Sequence, residues 1–161
     1  MQDEKLLLIP GPTPVHPRIT QVLSLPTVSH VSPVFIKDFK EALNNLKKIV
    51  FCEDGQPFLV AGAGTLSMEM AVINLVGPKD KFLVISQGYF GKRMKSIAES
   101  FGLNCDILES HWGQAVAPEE VEKKLNEQDY SVVACTHVDT ATGACAPVEE
   151  YAGIARKRDA F

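Results

Sequence analysis

With 161 residues, 45% of them hydrophobic and 22% charged, the chain is long enough to bury a core and has the make-up of a globular protein. Its net charge of −4 argues against general nucleic-acid binding, which needs a basic face to neutralise phosphates. No apolar run approaches membrane-spanning length, and Leu6-Leu-Leu-Ile9 is too short for the core of a signal peptide. The expectation is therefore a cytoplasmic protein with no membrane or nucleic-acid partner.

In chain order, Pro10-Gly-Pro-Thr-Pro14 and Pro17 predict a stiff, extended lead. Over residues 33–50, Phe35, Phe39, Leu43, Leu46 and Val50 recur at helical spacing with lysines on the other face. Asp54-Gly55 closes that region with a turn. Residues 1–52 are thus expected to be an N-terminal extended segment and helix, and residues 53–161 a partial α/β domain. In the second part the pattern alternates. Residues 57–60 read as a strand, 65–76 as a helix stopped by Gly77-Pro78, and 82–86 as a strand. A loop over 87–91 and a helix over 92–101, ended by Gly102, follow. Residues 104–108 predict a strand, 118–126 a helix opening on Pro118 and two glutamates, 131–136 a strand, and 147–158 a helix.

Strands alternating with helices of this length predict an α/β fold with a mostly parallel sheet and helices on both faces. Phe82-Leu-Val-Ile85 and Val132-Val-Ala134 are apolar at every position, as strands covered on both sides must be. Ligands of such sheets bind beyond the carboxyl ends of the strands. The loops over 61–64, 87–91 and 137–143 are expected to gather at that rim.

The stretch from Phe58 to Val72 carries the clearest chemistry. An apolar run enters a Gly-rich turn that opens directly onto a helix, which points free N–H groups and a positive dipole end at one spot. There is no Gly-Lys-Ser/Thr for a nucleoside triphosphate, and Gly62-Ala63-Gly64 lacks the third glycine of a dinucleotide turn. The turn reads either as a seat for another phosphate or as plain turn chemistry. Cys52, Cys105, Cys135 and Cys145 show no C-x-x-C spacing, and His16, His30, His111 and His137 are scattered. Neither a disulfide nor a metal site is expected, and the thiols fit a reducing compartment.

Five segments, read in order, resemble the first part of a class V, fold-type I pyridoxal-phosphate aminotransferase, and most nearly the alanine–glyoxylate and serine–pyruvate aminotransferase group. They are Ile9-Pro-Gly-Pro-Thr-Pro-Val15 with His16-Pro17, and His30-Val-Ser-Pro-Val-Phe35. Then come Ala61-Gly-Ala-Gly-Thr-Leu-Ser-Met-Glu69, Gln87-Gly-Tyr-Phe-Gly-Lys-Arg93 and Thr136-His-Val-Asp-Thr-Ala-Thr-Gly143. The resemblance implies pyridoxal 5'-phosphate as cofactor, with its phosphate on Ala63, Gly64 and Thr65. It implies that Phe90 lies over the pyridine ring, that the Thr140 hydroxyl bonds near the ring's phenolic oxygen, and that the Gly11 main chain lies near the substrate carboxylate. Read from the residues alone, Phe90 also fits a core aromatic, and Thr140, like Asp139 and Thr142, a turn cap. Three positions depart from the family pattern: Phe90 where many members carry tryptophan, Val31 where arginine is common, and Asp139 where glutamate is frequent.

The resemblance further implies that the Schiff-base lysine and the aspartate on the ring nitrogen lie beyond Phe161, so no catalytic residue is assigned within this chain. Lys79, Lys81, Lys92, Lys123, Lys124 and Lys157 read as turn or solvated-face lysines, and Asp159 comes too early in its loop. The chain is accordingly expected to be the N-terminal portion of an enzyme that moves an amino group from alanine or serine to glyoxylate or pyruvate. The complete enzyme is expected to be a homodimer, and the fragment alone inactive. Two alternatives stay open: another class V enzyme (an aspartate-type or phosphoserine aminotransferase, or a cysteine desulfurase), and a non-catalytic half-domain completed by a second, complementing C-terminal chain.

Overall fold

The computed structural model describes residues 6–161, and the chain divides into two compact units, Met1–Ala61 and Gly62–Phe161. The first unit holds two helices, α1 (Pro17–Leu23) and α2 (Pro33–Ile49). Each starts on a proline at its first turn, where the missing N–H has no partner to lose. The His16 Nδ1 accepts from the Arg18 N–H at 3.2 Å and caps α1. The Phe35 and Phe39 rings stack along α2 with centroids 5.8 Å apart, as their helical spacing predicts. None of the described residues of this unit is buried.

The second unit carries the core. Its elements are α3 (Gly64–Leu75), β1 (Lys81–Ser86), α4 (Tyr89–Ser100), β2 (Asn104–Glu109), α5 (Pro118–Glu127), β3 (Val132–Cys135) and α6 (Val148–Arg156). The three strands form a parallel sheet in the order β2-β1-β3, with Lys81 opposite Asn104 and Phe82 opposite Val132. The two-residue period of β1 sorts its side chains between two clusters. Phe82 and Val84 join Val72, Val76, Ile97 and Ala98 of the region of α3 and α4 on one face. Leu83 and Ile85 join Val121, Leu125, Tyr151 and Ala155 of α5 and α6 on the other. Residues 82–85 of β1 are at most 1% exposed, which is why they read as an unbroken apolar run.

Three sequence expectations shift. Residues 57–60 form no ladder among the described residues; a strand needs a neighbour, and Phe58, Leu59 and Val60 stay exposed. The proline-rich lead contains α1, because Pro17 opens a helix instead of prolonging an extended run. Helix α4 begins at Tyr89, three residues earlier than its sequence pattern predicts.

Candidate functional site

The site begins where β1 and β3 end. After Ser86 the chain passes through Gln87 and Gly88 into α4, which packs on the Phe82–Val84 face of the sheet. After Cys135 it forms a loop and enters α6, which packs on the opposite face. Adjacent strands whose following helices depart to opposite faces leave a crevice between their carboxyl ends, the usual ligand position in an open α/β sheet.

Asp139 joins the loops that follow β1 and β3. Its carboxylate is completely buried. One oxygen, Oδ2, accepts the Phe90 N–H at 2.9 Å, and the other, Oδ1, accepts the Ala141 N–H at 3.0 Å. Gly88 makes this approach possible, since a Cβ at that position would lie 2.6 Å from the Asp139 Cγ. Two further bonds join the loops: the Thr142 hydroxyl donates to the Gln87 carbonyl at 3.0 Å, and the Gln87 Nε2 donates to the Thr136 carbonyl. The loop after β3 is itself braced by an antiparallel bridge between Val138 and Cys145. The Asp139 carbonyl accepts the Gly143 N–H at 2.7 Å, with Gly143 at φ +73°, a conformation glycine adopts without strain.

The two helix starts of this region differ. Gly88 is the N-cap of α4 and has no side chain to offer, so Asp139 supplies the cap from the neighbouring loop, bonding the second helical N–H. The N-cap of α3 is Ala63, which has no capping side chain either, and none replaces it among the described residues. The Gly64 and Thr65 N–H groups have no hydrogen-bond partner among the described residues. A Cβ on Gly64 would meet nothing within 4 Å, and Ala63 and Gly64 are exposed. A Cβ on Gly62 would meet the Leu66 side chain, with Cδ2 2.4 Å away.

The predicted residues therefore fall into three places. Ala63, Gly64 and Thr65 form the open start of α3. Phe90 and Thr140 are drawn to one carboxylate, with Phe90 bonded to it directly and Thr140 adjacent to the bonded Ala141. Phe90 is half-buried, belongs to neither core cluster, and meets the Tyr89 ring edge-on at 5.2 Å. No hydrogen bond among the described residues joins Ala63, Gly64 or Thr65 to either rim loop. Gly11 lies in the first unit, exposed, with nothing within 4 Å of its Cβ position. Asp139, Gln87 and Thr142 were not singled out as cross-loop partners by sequence, because their partners lie 49 to 55 residues away. Burial pushes the Cys135 thiol at the end of β3 upward, which keeps it protonated and inert.

The chain compares closely with transaminases. It is 32% identical to the L-aspartate–glyoxylate aminotransferase of Paracoccus denitrificans, over 99% of this chain and 40% of that protein. It is 34% identical to alanine–glyoxylate aminotransferase 1 of Saccharomyces cerevisiae, over 84% of this chain and 37% of the relative. The solved structure of ureidoglycine–glyoxylate aminotransferase from Bacillus subtilis superposes with a TM-score of 0.88 at 28% identity, covering 95% of this chain and 40% of that one. The chain thus spans about two fifths of the length of the proteins it matches, and its fold is part of the large domain of the fold-type I pyridoxal-phosphate transferases. The aminotransferase class-V family model matches residues 19–161, and the chain belongs to that family.

Proposed function

We propose that this chain is the cofactor-seating portion of a pyridoxal 5'-phosphate-dependent aminotransferase that transfers an amino group from a small amino acid, alanine or serine, to glyoxylate or pyruvate. The single observation that carries the reading is the open start of α3, with two unpartnered N–H groups, a helix dipole and no side chain over Gly64. That donor set fits a phosphate monoester, and the Thr65 hydroxyl adds a third donor. The three named relatives differ in amino donor but share glyoxylate as acceptor, which favours a 2-oxo acid of that size.

When bound, the cofactor supplies an electron sink for the carbon that loses and regains a proton. The chain's own residues bind and orient. Ala63, Gly64 and Thr65 hold the phosphate. Phe90 presents an apolar face to the ring, a contact that contributes about 0.5–1.5 kcal/mol beyond burial. Thr140 directs its hydroxyl toward the phenolic oxygen, and the Gly11 main chain faces the substrate carboxylate. The complete enzyme is proposed to be a cytoplasmic homodimer. Residues 1–52 and 53–161 are proposed as its N-terminal segment and its partial large domain.

Equilibrium dialysis of the chain against pyridoxal phosphate tests the seat. Binding competed by inorganic phosphate is expected, with no transaminase activity from the chain alone. Absence of competition by phosphate would remove the α3 assignment.

A second reading is a non-catalytic half-domain completed by a chain that supplies further strands, and it concerns the edge of the sheet where Phe161 pairs. The Phe161 N–H donates to the Ser131 carbonyl at 3.0 Å and its carbonyl accepts the Val133 N–H at 2.8 Å, adding a rung beside β3. A cooperatively folding monomer in size-exclusion chromatography would count against it.

A further inference from the structure

The Asp139 carboxylate does more than close a turn. It lies across a crevice between two loops, its two oxygens bond two main-chain N–H groups, and those groups flank the two residues proposed to contact the cofactor ring. One is the N–H of Phe90 itself, and the other follows Thr140 directly. No lysine or arginine makes a salt bridge to Asp139 among the described residues. Its two oxygens are met instead by the N–H at the start of α4 and by the Ala141 N–H.

We infer that Asp139 is a positioning residue that sets the ring-facing side of the pocket, fixing Phe90 and Thr140 in one register by clamping the loops after β1 and β3. This rests on the cofactor reading above. The clamp has a built-in geometric requirement. The carboxylate fits only because position 88 lacks a Cβ, and the cap of α4 arrives from the other loop. An amide cannot substitute for the carboxylate. Asparagine has one acceptor oxygen, and its NH2 group would face a second N–H donor. Loss of either bond frees one loop from the other, so Phe90 and Thr140 should lose their register together. The start of α3 is held by neither bond, and the phosphate seat should be indifferent to the change.

The test compares Asp139→Asn with wild type in two measurements on the 161-residue chain. Amide hydrogen exchange at Phe90 and Ala141 reads the clamp. Dissociation constants for pyridoxal phosphate and for inorganic phosphate, by equilibrium dialysis, read the ring side and the phosphate side separately. Both amides are expected to lose protection together, pyridoxal phosphate to bind roughly two- to tenfold more weakly, and inorganic phosphate to bind as before. Unchanged protection, unchanged cofactor affinity, or an equal loss for both ligands overturns the inference. If Asp139→Asn does not fold, Gly88→Ala takes its place, since its Cβ displaces the carboxylate without removing the charge. Failure of the wild-type chain to bind pyridoxal phosphate more tightly than phosphate overturns the cofactor reading instead. The clamp is then judged on the joint loss of protection alone.

Discussion

Helices α3 and α4 pack side by side on one face of the sheet, both start without a capping side chain of their own, and they solve that problem in opposite ways. The start of α4 is occupied: Asp139 reaches across from another loop and takes the second N–H. The start of α3 is left open, with Gly64 and Thr65 unpartnered among the described residues. Of two similar helix starts, one is bonded by the protein's own carboxylate, and the other has no such partner among the described residues. A helix N-terminus is thus a site only where the fold leaves it uncapped.

The largest expected effect comes from breaking the occupied end. Asp139→Ala strands the Phe90 and Ala141 N–H groups, and each unsatisfied donor costs about 1–3 kcal/mol. Urea unfolding should register a loss of about 2–5 kcal/mol, with the upper part of the range tempered by the exposure of Ala141. Gly91→Ala should follow at about 1–3 kcal/mol, because its Cβ would lie 2.4 Å from the Ser86 side chain and 2.7 Å from its Cα. A neutral outcome for Gly91→Ala would mean that α4 can shift along β1 without penalty, and that its start is not fixed.

The open end should behave in reverse. Gly64→Val meets no protein atom within 4 Å of its Cβ, so stability should change by less than about 1 kcal/mol. The new side chain does stand where an anion would approach. Pyridoxal phosphate and inorganic phosphate should both bind more weakly, by roughly two- to thirtyfold, the range of a favourable helix end. Together with Asp139→Ala, this gives a crossed result: one substitution lowers stability at the capped helix, and the other lowers affinity at the uncapped one. Full phosphate affinity in Gly64→Val would place the anion elsewhere.

Much of this contrast was invisible locally. The two-sided apolar runs of β1 and β3 followed from periodicity, and the pattern places α3 one residue late at each end, at 65–76 against Gly64–Leu75, because burial on both faces and the Gly77-Pro78 stop leave a local trace. The start of α4 did not. Gln87-Gly-Tyr-Phe-Gly91 reads as a loop because two glycines fall within five residues, yet each glycine answers a particular neighbour, Asp139 or Ser86. Asp139 itself read as a turn residue. It does brace its own turn through the Ala141 N–H, but its second bond spans 49 residues, and no pattern within a window of one helix or strand contains both partners. The apolar residues 57–60 show the converse: a clear strand signal makes no strand when no neighbour pairs with it.

The smallest effect sharpens the comparison from the other end of the sheet, where a carboxylate is held by side chains instead of main-chain N–H groups. Asp106 accepts from the Tyr130 hydroxyl at 2.7 Å and lies 3.5 Å from the Lys81 Nζ, with its side chain 36% exposed. The Tyr130 hydrogen bond, with help from the Lys81 charge, outweighs partial burial and holds the Asp106 carboxyl below its ordinary range. Burial and that same bond push the Tyr130 hydroxyl upward. A lowered carboxyl pKa contributes stability that is present above the ordinary carboxylate value and is lost as pH falls through the folded value. Tyr130→Phe should therefore cost about 1 kcal/mol at pH 7, with solvent screening keeping it small. The difference from wild type should narrow as the pH drops below about 4 and both proteins protonate Asp106. Denaturation midpoints at pH 7 and pH 3 measure this directly. A cost that is the same at both would show that the hydroxyl contributes independently of the Asp106 charge, since the hydroxyl is the only group the substitution removes.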